Sequence, residues 1–279
     1  MAEVVELTYY PVKGCAGTPV SEAVVTPAGL AHDRSFMVVS NAGVHRTQRR
    51  DPLLAVVRPG ISADGERLTL HAPGRGAVDI EVDTDGARRP VDLFGTAYQG
   101  IDQGRAAADW LSGVLGVPSR LVRVPPEHER VTDGRIPGTS GYADSSAVHL
   151  MSRSTLDLLH RRLAERGAPP LPMDRFRPNI VVDGWDEPHT EDRVRHLTVG
   201  GTELGYAKLA VRCAVTMVDQ ESGTGAGPEP LRTLAGYRRA AGGGVALGAK
   251  FAVLRPGKVS VGDDVVVGEW GASEIHPTA

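Results

Sequence analysis

The sequence predicts a mainly β fold, a β-rich α+β architecture, from three observations. Its apolar residues fall in short runs, turn-forming Gly, Pro, Asp and Asn break those runs, and only three stretches carry helical spacing. In chain order, Val4-Val5-Glu6-Leu7-Thr8-Tyr9-Tyr10 reads as a strand closed by Pro11. Strands are expected next at residues 35–39, 53–57, 68–71, 78–82 and 120–124. Residues 63–66 (Ala-Asp-Gly-Glu) and 83–86 (Asp-Thr-Asp-Gly) have the chemistry of hairpin turns.

The first helix, 104–115, places Ala107, Trp110, Leu111, Val114 and Leu115 on one face and stops at Gly116-Val117-Pro118. A second, 152–166, carries Leu156, Leu159 and Leu163. Ser154 followed by Asp157 signals its start, and Gly167 before Pro169 its end. A third is expected over 229–239, halted by Gly242-Gly243-Gly244. Strands then return at 179–182, 197–199, 209–218, 251–254, 258–261 and 264–267, with the almost wholly apolar 179–182 in a central position. Pro125-Pro126 and the polar stretch through Gly141 form the best linker, dividing the chain into 1–125 and 126–279.

Composition narrows the function. Of 279 residues, 41% are hydrophobic and 23% charged, which suits a globular chain with a sizeable core. With 31 basic against 34 acidic side chains the formal charge is −3, so no global basic field selects nucleic acid, and any anion site must be local. No stretch approaches the roughly 18 apolar residues of a membrane span, and neither a signal peptide nor a membrane anchor is expected. Two cysteines, Cys15 and Cys213, supply no disulfide framework and no iron–sulfur ligand cluster, which points to a reducing cytoplasm. A single Cys15–Cys213 disulfide stays open at this point.

Familiar catalytic motifs fail. Residues 243–250 approach a phosphate loop, but Ala249 stands where its lysine belongs. Gly223-Thr224-Gly225-Ala226-Gly227 lacks dinucleotide-fingerprint spacing, and there is no nucleophile-elbow serine or zinc-protease histidine pair. The nine histidines are scattered, while Asp263-Asp264 and Asp219 with Glu221 read as polar turns.

What survives is a set of cationic and small polar residues on separate segments: Tyr10-Pro11-Val12-Lys13-Gly14-Cys15, His32-Asp33-Arg34, Tyr142-Ala143-Asp144-Ser145-Ser146, Phe176-Arg177-Pro178-Asn179 and Arg212-Cys213. Taken singly, each has a bland explanation. Lys13 and Arg34 suit a surface, Arg177 and Asn179 a turn, Asp144 and its serines a capped loop, and Cys213 a core thiol in an apolar run. As an ordered series, joined by Thr47-Gln48-Arg49-Arg50-Asp51-Pro52 and Arg212-Cys213-Ala214-Val215-Thr216-Met217-Val218-Asp219, they resemble MOSC-domain proteins with the N-terminal β-barrel domain, above all the mitochondrial amidoxime-reducing components and their bacterial homologues.

The resemblance implies an N-terminal β-barrel-like domain packed on a C-terminal MOSC β-barrel with a few helices. It implies that Cys213 is the catalytic thiolate ligand to molybdenum. Lys13, Gly14, Arg34, Asp144, Ser145, Ser146, Arg177, Asn179 and Arg212 then hold the molybdopterin-type cofactor. The chemistry agrees: thiolate is a soft ligand, phosphate asks for charge-assisted donors, and Asp144 suits pterin N–H groups. Cys15 stays a small buried residue. Two features depart from the family pattern, Val211 where some relatives carry serine and the glycine-rich segment 240–248. The activity implied is molybdenum-dependent reduction of small N-hydroxylated substrates (amidoximes, hydroxylamines, hydroxamic acids). With no ferredoxin-type cysteines, its electrons are expected from a separate donor protein. The alternative is a carrier of the cofactor or of activated sulfur, and a degenerate member kept for protein contact is a third.

Overall fold

In the computed structural model, which describes residues 1–276, the first strand Glu3–Tyr9 pairs with Ile180–Asp183, so the amino terminus builds part of a sheet otherwise made from residues far along the chain. That eight-stranded sheet runs Val265–Trp270, Val194–Val199, Thr202–Arg212, Val245–Arg255, Val148–Ser152, Ile180–Asp183, Glu3–Tyr9, Thr18–Val20. Its one parallel pair, Val148–Ser152 with Ile180–Asp183, is linked by a crossover containing a helix, as parallel pairing requires. Ile180, Val181 and Val182 are buried on both faces, which is why this run lacks alternation. A five-stranded sheet follows the order Arg88–Leu93, Thr96–Asp102, Ser119–Arg123, Phe36–Ser40, Val12–Lys13. Three strands, Arg58–Ile61, Arg67–Ala72 and Arg75–Glu81, form a separate meander. The fold is therefore β-rich α+β, as predicted.

None of these sheets closes into a barrel. The large sheet curls until Glu3 meets Asp264, with Val4 N–H donating to Asp263 O (2.9 Å) and Val265 N–H to Ala2 O (2.8 Å). That contact is one isolated bridge, not a ladder, and Thr18–Val20 pairs with the other end of the first strand, at Leu7–Tyr9.

Helix α1, Gly104–Leu115, lies where the periodicity put it, buries Ala107, Trp110 and Leu111, and ends at left-handed Gly116 (φ 68°). Helix α2, Arg153–Ala164, begins two residues earlier than its Ser-Asp signal, because Ser152 Oγ accepts from Thr155 N–H. Helix α3 is a single turn, Leu231–Leu234, and not 229–239. The chain leaves it early because Ala246 N–H bonds Arg238 O (2.9 Å) and Arg239 bridges Val245.

Residues 53–57 are not a strand but part of a 3-10 helix, Pro52–Val56, where Pro52 presets a helical φ and Leu54, Ala55 and Val56 are buried. The 83–86 turn exists, with Asp83 Oδ1 accepting from Asp85 N (2.9 Å) and Gly86 N (2.7 Å), yet it joins two different sheets and no hairpin. The expected linker carries its own small hairpin, Val131–Thr132 with Gly138–Thr139. Among the described residues, no helix is long and apolar enough to cross a membrane.

Candidate functional site

The expected 209–218 strand stops at Arg212, and that early stop positions the cysteine. Thr202–Arg212 gives way to a 3-10 turn, Ala214–Met217, whose N-cap is Cys213. The Cys213 carbonyl accepts from Thr216 N (3.0 Å) and Thr216 Oγ1 (2.9 Å), which pins the turn while the thiol stays exposed. Cys213 lines a cleft that is open to solvent and has about 120 Å³ of space accessible to water. No disulfide forms. Cys15 is fully buried in the core beneath the five-stranded sheet, and burial pushes its thiol up to about 12.

Two arginines on the cleft wall sit in a backbone conformation that costs a non-glycine residue energy, Arg34 at φ 48° and Arg177 at φ 58°. Both guanidinium carbons stack on the buried Tyr10 ring, at 4.3 and 4.2 Å from its centre. Asp33 accepts from Arg34 Nη1 (2.5 Å) and, through its other oxygen, from Tyr10 N (2.8 Å). The Asn179 amide ties these together. Its Oδ1 accepts from Arg34 Nη1 (3.1 Å) and His149 N (3.1 Å), while its Nδ2 donates to Thr8 O (3.1 Å) and Asp33 Oδ1 (3.0 Å).

Opposite them, Lys13 donates to Asp144, and Lys250 donates to Ser145 Oγ (2.5 Å). Enclosure opposes ionisation of the Asp144 carboxyl, but Lys13 and Lys250 hold it below the usual carboxylate range. Burial lowers the Lys250 ammonium to about 8 and the Arg212 guanidinium to about 10. Arg212 Nη2 donates to Phe176 O (2.7 Å), and its buried Nε has no partner among the described residues. Burial, then Arg212 and Lys250, drive the His149 pKa well down, so its ring is neutral. Neutral His149 accepts from Arg212 Nη1 at Nε2 (3.4 Å) and donates from Nδ1 to Arg177 O (3.3 Å), the tautomer these partners assign.

Gly248 closes the back of this arrangement. It lies at φ 83°, and a Cβ there would stand 2.6 Å from both His149 Nε2 and Met151 Cγ. Gly248→Ala is expected to destabilise the fold by about 2–3 kcal/mol through backbone strain and overpacking, read as a lower urea midpoint. An unchanged midpoint would show that His149 can move aside.

Of the ten residues singled out from sequence, nine line this one cleft: Lys13, Gly14, Arg34, Asp144, Ser146, Arg177, Asn179, Arg212 and Cys213. Ser145 stands behind it, reaching the cleft through Lys250. Ser146 Oγ is spent on Phe251 O (3.1 Å), and all four hydrogen bonds of the Asn179 amide go to protein. Sequence reasoning missed Lys250, His149, Arg49 and Phe94, which also line the cleft. Lys250 and His149 each interrupt an otherwise apolar strand, a usable signal, since a buried charge or imidazole needs a partner or an opening.

The charge balance is local and one-sided. Seven cations line the cleft against one carboxylate, Asp144. Lys13 pairs with Asp144, Arg34 with Asp33 and Arg46 with Asp51, leaving Arg49, Arg177, Arg212 and Lys250 without a carboxylate partner among the described residues. Scaffold and site together define a β-rich protein whose thiol shares a small-molecule cleft with four unbalanced cations. Residues 1–118 match the family model described as MOSC N-terminal beta barrel domain, and residues 137–266 that of the MOSC domain. Mitochondrial amidoxime-reducing component 1 of Homo sapiens is 33% identical over 282 residues, covering 94% of this chain and 82% of that protein. Molybdenum cofactor sulfurase of Danio rerio is 32% identical over 251 residues, 83% of this chain but 30% of its own length. The crystal structure of the YUAD protein from Bacillus subtilis covers 95% of this chain and 93% of its own, at 10% identity and a TM-score of 0.43. By the two domain matches and its full-length relatives, the chain belongs to the MOSC proteins that carry the MOSC N-terminal beta barrel domain.

Proposed function

We propose that this protein holds a molybdenum cofactor through Cys213 and reduces N-hydroxylated compounds. The observation that carries this reading is the Cys213 thiol opening into the same cleft as four unbalanced cations. The residues fit such a group on three counts. The orphaned Arg212 Nε and the unpaired Arg177 guanidinium are donors waiting for an anion such as a phosphate. The Asp144 carboxylate, 61% accessible inside the cleft, is an acceptor suited to pterin N–H groups. The exposed Cys213 thiol is a soft donor, so it would be the residue that holds a molybdenum centre, the rest of whose ligands the cofactor would supply.

When bound, the cofactor supplies the two-electron redox chemistry. The protein's part is placement. Cys213 anchors from a turn that Thr216 fixes, Arg177 and Arg212 bind phosphate, and Arg34 is held by Asp33 and Asn179. Neutral His149 sets the Arg212 guanidinium and the Arg177 backbone together. For an amidoxime, two electrons and two protons convert the N–OH compound to an amidine and water, with the electrons delivered by a separate donor protein. Molybdenum-loaded protein is expected to convert benzamidoxime to benzamidine with reduced viologen as donor. Full molybdenum occupancy without turnover would remove the assignment.

A second reading, carriage of activated sulfur or of the cofactor, is favoured by the exposure of Cys213 and the lack of any side-chain partner for its sulfur among the described residues. Native mass spectrometry separates the two. A persulfide on Cys213 without molybdenum supports carriage, and stoichiometric molybdenum with turnover excludes it as the main role.

A further inference from the structure

The cleft holds more positive charge than one cofactor phosphate neutralises. A phosphate monoester carries about two negative charges near neutral pH. Four cleft cations lack a carboxylate; such a phosphate and the Cys213 thiolate together bring about three negative charges, so one cation remains unbalanced. A cation left over on the cleft wall is a ready partner for an incoming anion. We propose that the natural substrates are themselves anionic, N-hydroxylated compounds with an apolar body and a carboxylate, and that Arg49 receives the carboxylate. This rests on the reductase reading above and narrows its substrate class.

Arg49 is the cation best placed for an incoming molecule. Its side chain is exposed, lines the cleft, and makes no ion pair or hydrogen bond with any described residue. Its backbone, by contrast, is fixed. The neighbouring Gln48, 1% exposed, donates to Gly14 O (2.7 Å) and exchanges amide hydrogen bonds of 3.0 Å with Gln220. Thr47 O accepts from Arg50 N (3.0 Å) and Asp51 N (2.8 Å), closing the turn. One turn thus clamps Arg49 between the Lys13-Gly14 segment and the loop that follows Cys213. Arg46, the other cation of this segment that lines the cleft, is already committed to Asp51 (2.9 Å) and Pro118 O (2.7 Å). The same cleft offers apolar surface, Val211 at 51% and Phe94 at 44% exposure, for the body of such a substrate. Burying an organic body there while pairing its carboxylate uses both kinds of wall.

The test compares benzamidoxime with 4-carboxybenzamidoxime on molybdenum-loaded protein, using a reduced viologen donor, in wild type, Arg49→Gln and Arg49→Lys. The carboxylated substrate is expected to have the higher kcat/KM, by about tenfold for one charge-assisted contact, with the advantage shrinking as salt rises. Arg49→Gln should lower the ratio of the two kcat/KM values by about tenfold, and Arg49→Lys should restore most of it. Calorimetry adds a readout without turnover: 4-amidinobenzoate should bind wild type more tightly than benzamidine, and lose that advantage in Arg49→Gln. Equal kcat/KM for the two substrates, or a ratio that Arg49→Gln leaves alone, overturns the inference while the reductase reading stands. Turnover of neither substrate at full molybdenum occupancy removes both.

Discussion

Replacing Cys213 with alanine is expected to abolish N-hydroxy reduction in a protein that folds as the wild type does. The two halves of that expectation have different origins. The thiol is exposed, at the N-cap of a 3-10 turn whose hydrogen bonds come from the Cys213 carbonyl, not from its sulfur. Alanine keeps that carbonyl, so the unfolding free energy from urea denaturation should change by less than about 0.5 kcal/mol, as for substitutions away from packed or bonded positions. Activity should fall much further. Removing outer-shell partners of metal ligands typically costs 10–100-fold, and loss of the sole protein ligand should exceed about 100-fold. Molybdenum content after gel filtration, urea denaturation and benzamidoxime turnover measured on one preparation check all three parts. Wild-type turnover at full metal occupancy would show that Cys213 is no ligand. A lowered urea midpoint would show that the thiol packs in a way its exposure denies.

The sequence made parts of this site visible for physical reasons that can be named. Helix Gly104–Leu115 was legible because its apolar face repeats over three turns and its end carries a glycine that adopts the left-handed conformation. Residues 53–57 were not, since five apolar residues have no measurable period and the proline ahead of them decided the outcome. The strand expected over 209–218 was too long at one end and absent at the other. Apolar character continues through Val215, yet the backbone turns at Cys213, and only that turn takes the thiol out of the core. Nor do the cations announce themselves. Arg34, Arg177 and Arg212 lie 143 and 35 residues apart along the chain and meet through Tyr10, Asn179 and His149, so the ordered resemblance was needed to group them. Lys250 was readable in principle as the one charge in Val-Ala-Leu-Gly-Ala-Lys-Phe-Ala-Val-Leu, but its place in a failed phosphate loop drew attention to the glycines instead.

Asn179→Ala should act on the same cleft by the opposite route, costing stability first. The amide is 1% exposed and its four hydrogen bonds reach three segments, Thr8 on the first strand, Asp33 with Arg34, and the His149 backbone. Alanine would leave the Thr8 carbonyl and the His149 N–H buried without their side-chain partner and weaken the hold on Asp33. Each buried group so stranded costs about 1–3 kcal/mol, and because the bonds share one side chain the sum is less than additive, about 3–5 kcal/mol in all. Asn179→Asp distinguishes bonding from shape. The carboxylate retains both acceptor contacts but loses the donors to Thr8 and Asp33 and sets a second negative charge against Asp33, so it should destabilise nearly as much despite equal size. The urea midpoint of each variant, measured without cofactor, is the deciding quantity. If both unfold where the wild type does, the positive-φ arginines are held by Tyr10 and Asp33 alone, and Asn179 is free to face the cofactor instead of its neighbours.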